Sequence, residues 1–215
     1  MAWVEHLQSA NWFQATGCVL GAYLLGCFAT GYYLVRSRMG RDIREIESGS
    51  TGARNVGRVL GKPGFGLTML GDLGKGALAV WSAQEWTHNH HLAALAMLAV
   101  VAGHIWPAPL HFRGGKGAAT SLGALLVFDY RMALTFAALF LAGFVLARKS
   151  VLPGMFAFAC LPLAGLWFNH DGLTVTMAAV LSAMILFAHR KNFGEEITVL
   201  SARRGVAPKP ESPEL

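Results

Sequence analysis

Apolar residues fall in seven dense runs along the chain, at about 13–35, 65–81, 92–107, 117–128, 132–147, 151–168 and 172–188. A helix needs roughly 20 apolar residues to cross a hydrocarbon core of about 30 Å, and the first run meets that length unaided. Several others are shorter, so their ends must borrow polar neighbours or stop below the interface. The pattern predicts an all-α, polytopic membrane protein with seven transmembrane helices. No internal repeat of fixed period accompanies it.

Charge gives the pattern an orientation. With the N-terminus placed outside, the loops on the inner side collect 16 of the 18 Lys and Arg residues; Arg131 lies outside and Lys75 within a span. That division follows the positive-inside rule and places the C-terminus in the cytoplasm. The outer segments hold Glu5, Glu85, Asp129 and Asp171 and are too short for an external domain. The expected organisation is one membrane-embedded domain over residues 1–196 and a cytoplasmic tail over 197–215, whose proline-rich end, GVAPKPESPEL, reads as disordered. The N-terminal segment has no basic region before its apolar run, so no cleaved leader is expected.

Composition narrows the class. Of the 215 residues, 54% are hydrophobic and 14% charged, against about a quarter charged in soluble domains. The net charge of +6 sits in loops between apolar runs, which membrane topology explains without a nucleic-acid partner. The three cysteines lie in apolar runs with no C-x-x-C spacing, so neither a disulfide framework nor a zinc site is indicated. His88, His90 and His91 cluster on the outer side with Glu85 as the nearest carboxylate, a weak metal-binding pattern.

The glycine-rich polar sequence all falls on the inner side. Residues 47–58 interleave glycines with Ser, Thr and Asn, letting backbone amides approach an anion, and Arg54 and Arg58 can fork onto phosphate oxygens. Gly114-Gly115-Lys116-Gly117 opens a helical segment, whose N-terminus carries a partial positive charge beside the full one on Lys116. Lys116 precedes the last glycine and no strand comes before it, which excludes a P-loop. Asp72 and Lys75 share a helical face inside the second run, as a functional pair or a structural ion pair; Lys75 lies near enough to the inner end to snorkel towards headgroups. His189 and Asn192, three apart, end the last run on one face.

These stretches, in this order, resemble the bacterial glycerol-3-phosphate acyltransferases that use acyl phosphate, the PlsY family. The family's S-G-N-x-G-A-T-N-x-x-R is similar to Ser48–Arg58, its D-x-x-K-G to Asp72–Gly76, and its G-H-x-F-P-x-F-x-x-F-K-G-G-K-G-x-A-T to residues 103–120. The last of these carries Trp106, Pro109 and Arg113 in place of Phe, Phe and Lys. The third family motif, R-H-x-x-N, is represented by His189 and Asn192. Ser50 and Arg54 replace the usual Asn and Thr, the run after Asn192 is shortened, and a paired-serine segment reduces to Ser150. The resemblance implies a bacterial inner-membrane enzyme, working at the cytoplasmic face without a cofactor, that joins glycerol 3-phosphate and acyl phosphate. It implies membrane lipid and a soluble acyl-phosphate synthase as further partners. It also implies that Ser48, Asn55, Arg58, Gly114, Gly115, Lys116, Gly117, Ser150, His189 and Asn192 bind substrate, with Lys116 and His189 catalytic.

No G-x-S-x-G elbow or Ser-His-Asp arrangement points to a covalent acyl-enzyme. Rival readings are a transporter of a phosphorylated metabolite, which shares the basic cavity and the intramembrane pair, an acyltransferase of the same family with another acceptor, and a membrane scaffold.

Overall fold

The computed structural model describes the backbone of residues 12–203 and side chains through Lys191. Among these residues the only regular elements are helices: α1 (Trp12–Cys27), α2 (Thr30–Met39), α3 (Ala53–Thr87), α4 (His90–Ile105), α5 (Ala118–Phe128), α6 (Tyr130–Ala147), α7 (Val151–Ala159), α8 (Leu161–Trp167) and α9 (Gly172–Arg203). The all-α expectation holds. The expected domain edge at 196 falls inside α9, and the tail beyond 203 lies outside the described residues.

The bundle buries small residues and exposes large apolar ones. Ala93, Ala94, Ala96, Val100 and Val101 of α4 form the centre of the core, whereas Leu134, Leu146, Trp167 and Phe187 face outward. Without water to drive helix association, membrane helices meet through close van der Waals packing at small residues. Such contacts join α1 to α4 at Gly26 and Gly103, and α3 to α5 at Gly76 and Gly123; a Cβ at any of the four would collide with facing backbone.

Four stretches, not seven, are long and apolar enough to cross a membrane by themselves: Trp12–Met39, His90–Leu110, Tyr130–Ala147 and Gly172–Lys191. The other three expected spans fall short of that length and apolarity for different reasons. α5 has 11 residues, and α7 and α8 divide the sixth run at Cys160–Leu161, just before Pro162. α3 is long, but carries Asp72 and Lys75 and kinks at Gly61 (φ 70°), two residues before Pro63. The first span is also interrupted, between Cys27 and Thr30.

The helices run between two ends. At one, Asn89, Asp129 and Asp171 cap the starts of α4, α6 and α9, accepting from His91 N and Leu92 N, from Arg131 N and from Thr174 N. His170 Nε2 lies 2.7 Å from Asp129 Oδ2, His91 Nε2 lies 2.7 Å from Asp171 Oδ2, and His90 stacks on His170, so the three loops lock together. The expected histidine cluster thus serves as part of this clasp. At the opposite end α3, α5 and α7 start, and α4, α6 and the described part of α9 finish.

Lys75 does not snorkel. Its Nζ is buried, 3.0 Å from Asp72 Oδ1, and donates to Gly26 O (3.2 Å) and Phe28 O (2.8 Å), carbonyls at the interruption after α1. A broken helix leaves such carbonyls without partners a turn ahead, and the ammonium satisfies them.

Candidate active site

A cavity of about 760 Å³ opens at the end where α3, α5 and α7 begin. Its mouth is polar, with Ser48, Ser50, Arg54, Arg58, Lys116, Ser150 and His189; deeper in, Met69, Leu73, Leu122, Phe140, Met155 and Phe158 form an apolar slot. α5 is short and sits between α3 and α6, packing on both. That arrangement makes α5 the floor and its neighbours the walls.

The helix starts differ from those at the other end. Gly52, Gly117 and Ser150 precede α3, α5 and α7, and none supplies a side-chain cap. Each helix therefore presents first-turn amides and the positive end of its dipole to the cavity. Gly117 holds φ 83°, a left-handed conformation that suits glycine, and a Cβ there would come 2.7 Å from Ile185 Cδ1. The expected loop at 47–58 is helical from Ala53, so Arg54 and Arg58 stand one turn apart on α3. No acidic residue offsets them in its first turn. Arg58 Nη1 is 3.9 Å from Glu47 Oε2, a loose and exposed pair, and Arg54 has no ion pair among the described residues. Cations at a helix start oppose the dipole, so the mouth is arranged for an anion.

The expected site residues divide into those that face the cavity and those that build it. Ser48, Arg58, Lys116, Gly117, Ser150 and His189 line it together. His189 Nδ1 lies 2.9 Å from Ile185 O; a ring donating Nδ1–H there keeps Nε2 as an acceptor. Asn55 is in the wall, but its amide is engaged: Nδ2 donates to Ile46 O and Ser50 O, and Oδ1 accepts from Ser48 N. It shapes the loop carrying Ser48. Gly114 and Gly115 brace the site from behind, their amides donating to Ile105 O (3.1 Å) and His104 O (3.0 Å). Those two amides are engaged within the protein, which leaves the start of α5 as the nearer candidate for an anion. The Asn192 side chain lies outside the described residues.

Comparison with known proteins agrees with this geometry. A family model described as glycerol-3-phosphate acyltransferase matches residues 16–198. The chain belongs to that family. The glycerol-3-phosphate acyltransferase 1 of Desulfitobacterium hafniense (strain Y51) is 45% identical over 186 residues, 86% of this chain and 92% of the relative. The glycerol-3-phosphate acyltransferase of Laribacter hongkongensis (strain HLHK9) is 41% identical over 189 residues, 86% of this chain and 93% of the relative. The crystal structure of PlsY (YgiH), described as an integral membrane glycerol 3-phosphate acyltransferase in its glycerol 3-phosphate form, superposes with a TM-score of 0.80 at 31% identity, covering 86% of this chain and 92% of that one. A lysophosphatidic acid form of that protein gives 0.77. The protein is accordingly an integral membrane acyltransferase of lipid biosynthesis.

Within the acyltransferase, sequence reasoning passed over His104. It lies at the end of α4, lines the cavity, and contacts Asp72. A polar residue within an apolar run, at the His of the G-H-x-F-P motif, was the available signal.

Proposed function

We propose that the protein transfers a fatty acyl group from acyl phosphate to the 1-hydroxyl of glycerol 3-phosphate, giving lysophosphatidic acid and inorganic phosphate. The observation that carries this reading is the composition of one cavity: uncapped helix starts and three cations at its mouth, an apolar slot behind them. Both substrates are phosphates and one carries an alkyl chain, so the two halves of the cavity match the donor's two chemistries. The acceptor's phosphate competes for the same positive field, which holds both reactants side by side.

An acyl phosphate is already activated, since phosphate is a competent leaving group. The protein then needs only to align the two reactants, stabilise charge on the carbonyl oxygen and leaving phosphate, and exclude water. Alignment supplies about 7–11 kcal/mol in favourable cases, and fixed dipoles and cations add electrostatic stabilisation. In this mechanism the glycerol hydroxyl attacks the acyl carbonyl directly, Lys116 and the start of α5 hold the charge, and Arg58 with Ser48 holds glycerol 3-phosphate. The hydroxyl proton passes to a substrate phosphate oxygen or to His189 Nε2. Ser150 and Asn192 complete the substrate contacts.

The membrane arrangement belongs to the same proposal. The pairs α3/α4, α5/α6 and α7–α8/α9 each leave the cavity end and return, so with α1 the chain makes seven passages, the shorter ones shielded by their neighbours. The positive-inside distribution supports a cavity mouth at the cytoplasmic face of the inner membrane, within reach of a soluble synthase that supplies acyl phosphate.

Purified protein supplied with acyl phosphate and glycerol 3-phosphate tests the reaction. Phosphate and lysophosphatidate should form in equal amounts, and neither product in quantity when glycerol 3-phosphate is withheld. Phosphate release independent of the acceptor would sink the transfer reading.

A further inference from the structure

Three ionisable side chains meet at the inner wall of the site, Asp72 and His104 in the cavity lining and Lys75 behind them, and the mechanism above uses none of them. Asp72, Lys75 and His104 are all nearly inaccessible, with side chains 3, 4 and 4% exposed. Ionisable groups inside a membrane helix bundle are costly, and a well-packed apolar set of similar volume commonly gives equal or greater stability. Packing alone therefore does not account for three of them in one place.

Their contacts lead to one loop. Asp72 Oδ1 is 3.0 Å from Lys75 Nζ, accepts from Thr30 Oγ1 at 3.4 Å, and faces His104 Nδ1 at 3.5 Å. The last distance is a charge contact longer than a full hydrogen bond. Lys75 fixes the trio to the interruption after α1 through Gly26 O and Phe28 O. His104 reaches forward: its main-chain oxygen accepts from Gly115 N, and its ring Nε2 edge lies where a Gly115 Cβ would collide with it. Main chain and side chain of one residue thus hold Gly115. Lys116 follows directly, and Gly117 opens α5.

We propose that Asp72, Lys75 and His104 form a buried post that positions the Gly114–Gly117 turn, and that His104 thereby sets the affinity of the adjoining site for phosphate groups. His104 is a positioning residue here. It acts through Gly115 on the ammonium of Lys116 and the first amides of α5, whose aim at an anion depends on the tilt of that turn. The proposal rests on the reading of this helix start as a phosphate site, and is tested by binding and not by turnover.

The experiment is calorimetric titration of inorganic phosphate, and separately glycerol 3-phosphate, into the detergent-solubilised full chain and its variants. His104→Leu keeps volume and the Asp72–Lys75 pair while removing both ring nitrogens; it should weaken phosphate binding by about tenfold or more. His104→Gln restores a polar group between Asp72 and Gly115 and should lie within about threefold of wild type. Gly115→Ala should weaken binding on its own, and H104L/G115A should be no weaker than G115A, because both changes act on one contact. Wild-type affinity in His104→Leu would overturn the proposal, as would penalties that add in the double variant or a wild-type protein with no saturable phosphate binding. Should His104→Leu not fold, the ordering of His104→Gln and Gly115→Ala still decides, since equal affinities in wild type and Gly115→Ala contradict it. A protein that shows the predicted binding order but no acyl transfer would refute the reaction and leave the post standing.

Discussion

Arg54, Arg58 and Lys116 stand where positive charge is least stable by itself, next to helix starts whose dipoles carry the same sign. Glu47 gives Arg58 partial relief, at 3.9 Å. In the proposed mechanism a bound phosphate removes this conflict and so favours the loaded state. Arg58→Ala and Lys116→Ala should each lower acyl transfer by about a hundredfold or more, the loss seen when one preorganised donor to developing charge is removed. Turnover by purified variants, with membrane insertion checked by fractionation, measures it. At the other end of the bundle Asp129 illustrates the opposite case. Burial raises its carboxyl pKa, but hydrogen bonds from Arg131 and His170 outweigh this and hold it at about 2, below its ordinary 3.8. Because the folded value is the lower one, its contribution to stability is complete above pH 3.8 and disappears as pH falls towards 2. Thermal unfolding of the detergent-solubilised protein should therefore lose stability across that window, and Asp129→Asn should flatten the dependence.

At the scale of elements, the two ends of the bundle use helix starts in opposite ways. Asn89, Asp129 and Asp171 are ordinary N-cap residues, each worth about 1 kcal/mol, and they sit before apolar runs where the sequence marks them. Gly52 and Gly117 leave α3 and α5 open. The glycine-rich stretches were legible as candidate anion sites, but the helix beginning at Ala53 was not, because three glycines between 49 and 57 read as a loop. Nor did the sequence tell which amides were available: Gly114 and Gly115 bind back to α4 through hydrogen bonds between a loop and the preceding helix, a tertiary choice. Asn55 was legible as a motif residue, while its engagement with the backbone of residues 46–50 depends on the folded loop. The Asp72–Lys75 pair was visible from spacing alone, yet the partners of Lys75 at Gly26 and Phe28 lie 49 and 47 positions away in the chain and no local pattern names them. Lys75→Met leaves Asp72 without its cation and should cost about 3–5 kcal/mol, whereas D72N/K75M should recover much of the loss. Yields and melting temperatures of the two purified variants give the comparison.

Across the whole molecule, the apolar pattern established a helical membrane protein, and the structure altered how the helices use it. Four stretches satisfy the length of a bilayer; α5, α7 and α8 do not, and of these α5 and α7 line the cavity. The 11-residue α5 contributes Ala118, Ala119 and Leu122 to the cavity lining. The account stands on one claim: a single cavity receives a phosphate among cations at its mouth and an alkyl chain between helices behind it. An acyl phosphate analogue with a photoreactive diazirine near mid-chain tests this in bilayer nanodiscs, with adducts mapped by mass spectrometry. Adducts should concentrate on Phe140, Met155 and Phe158, and fall away when unlabelled acyl phosphate competes. Adducts spread over the outward-facing Leu134, Leu146 and Phe187, unchanged by competitor, would contradict it.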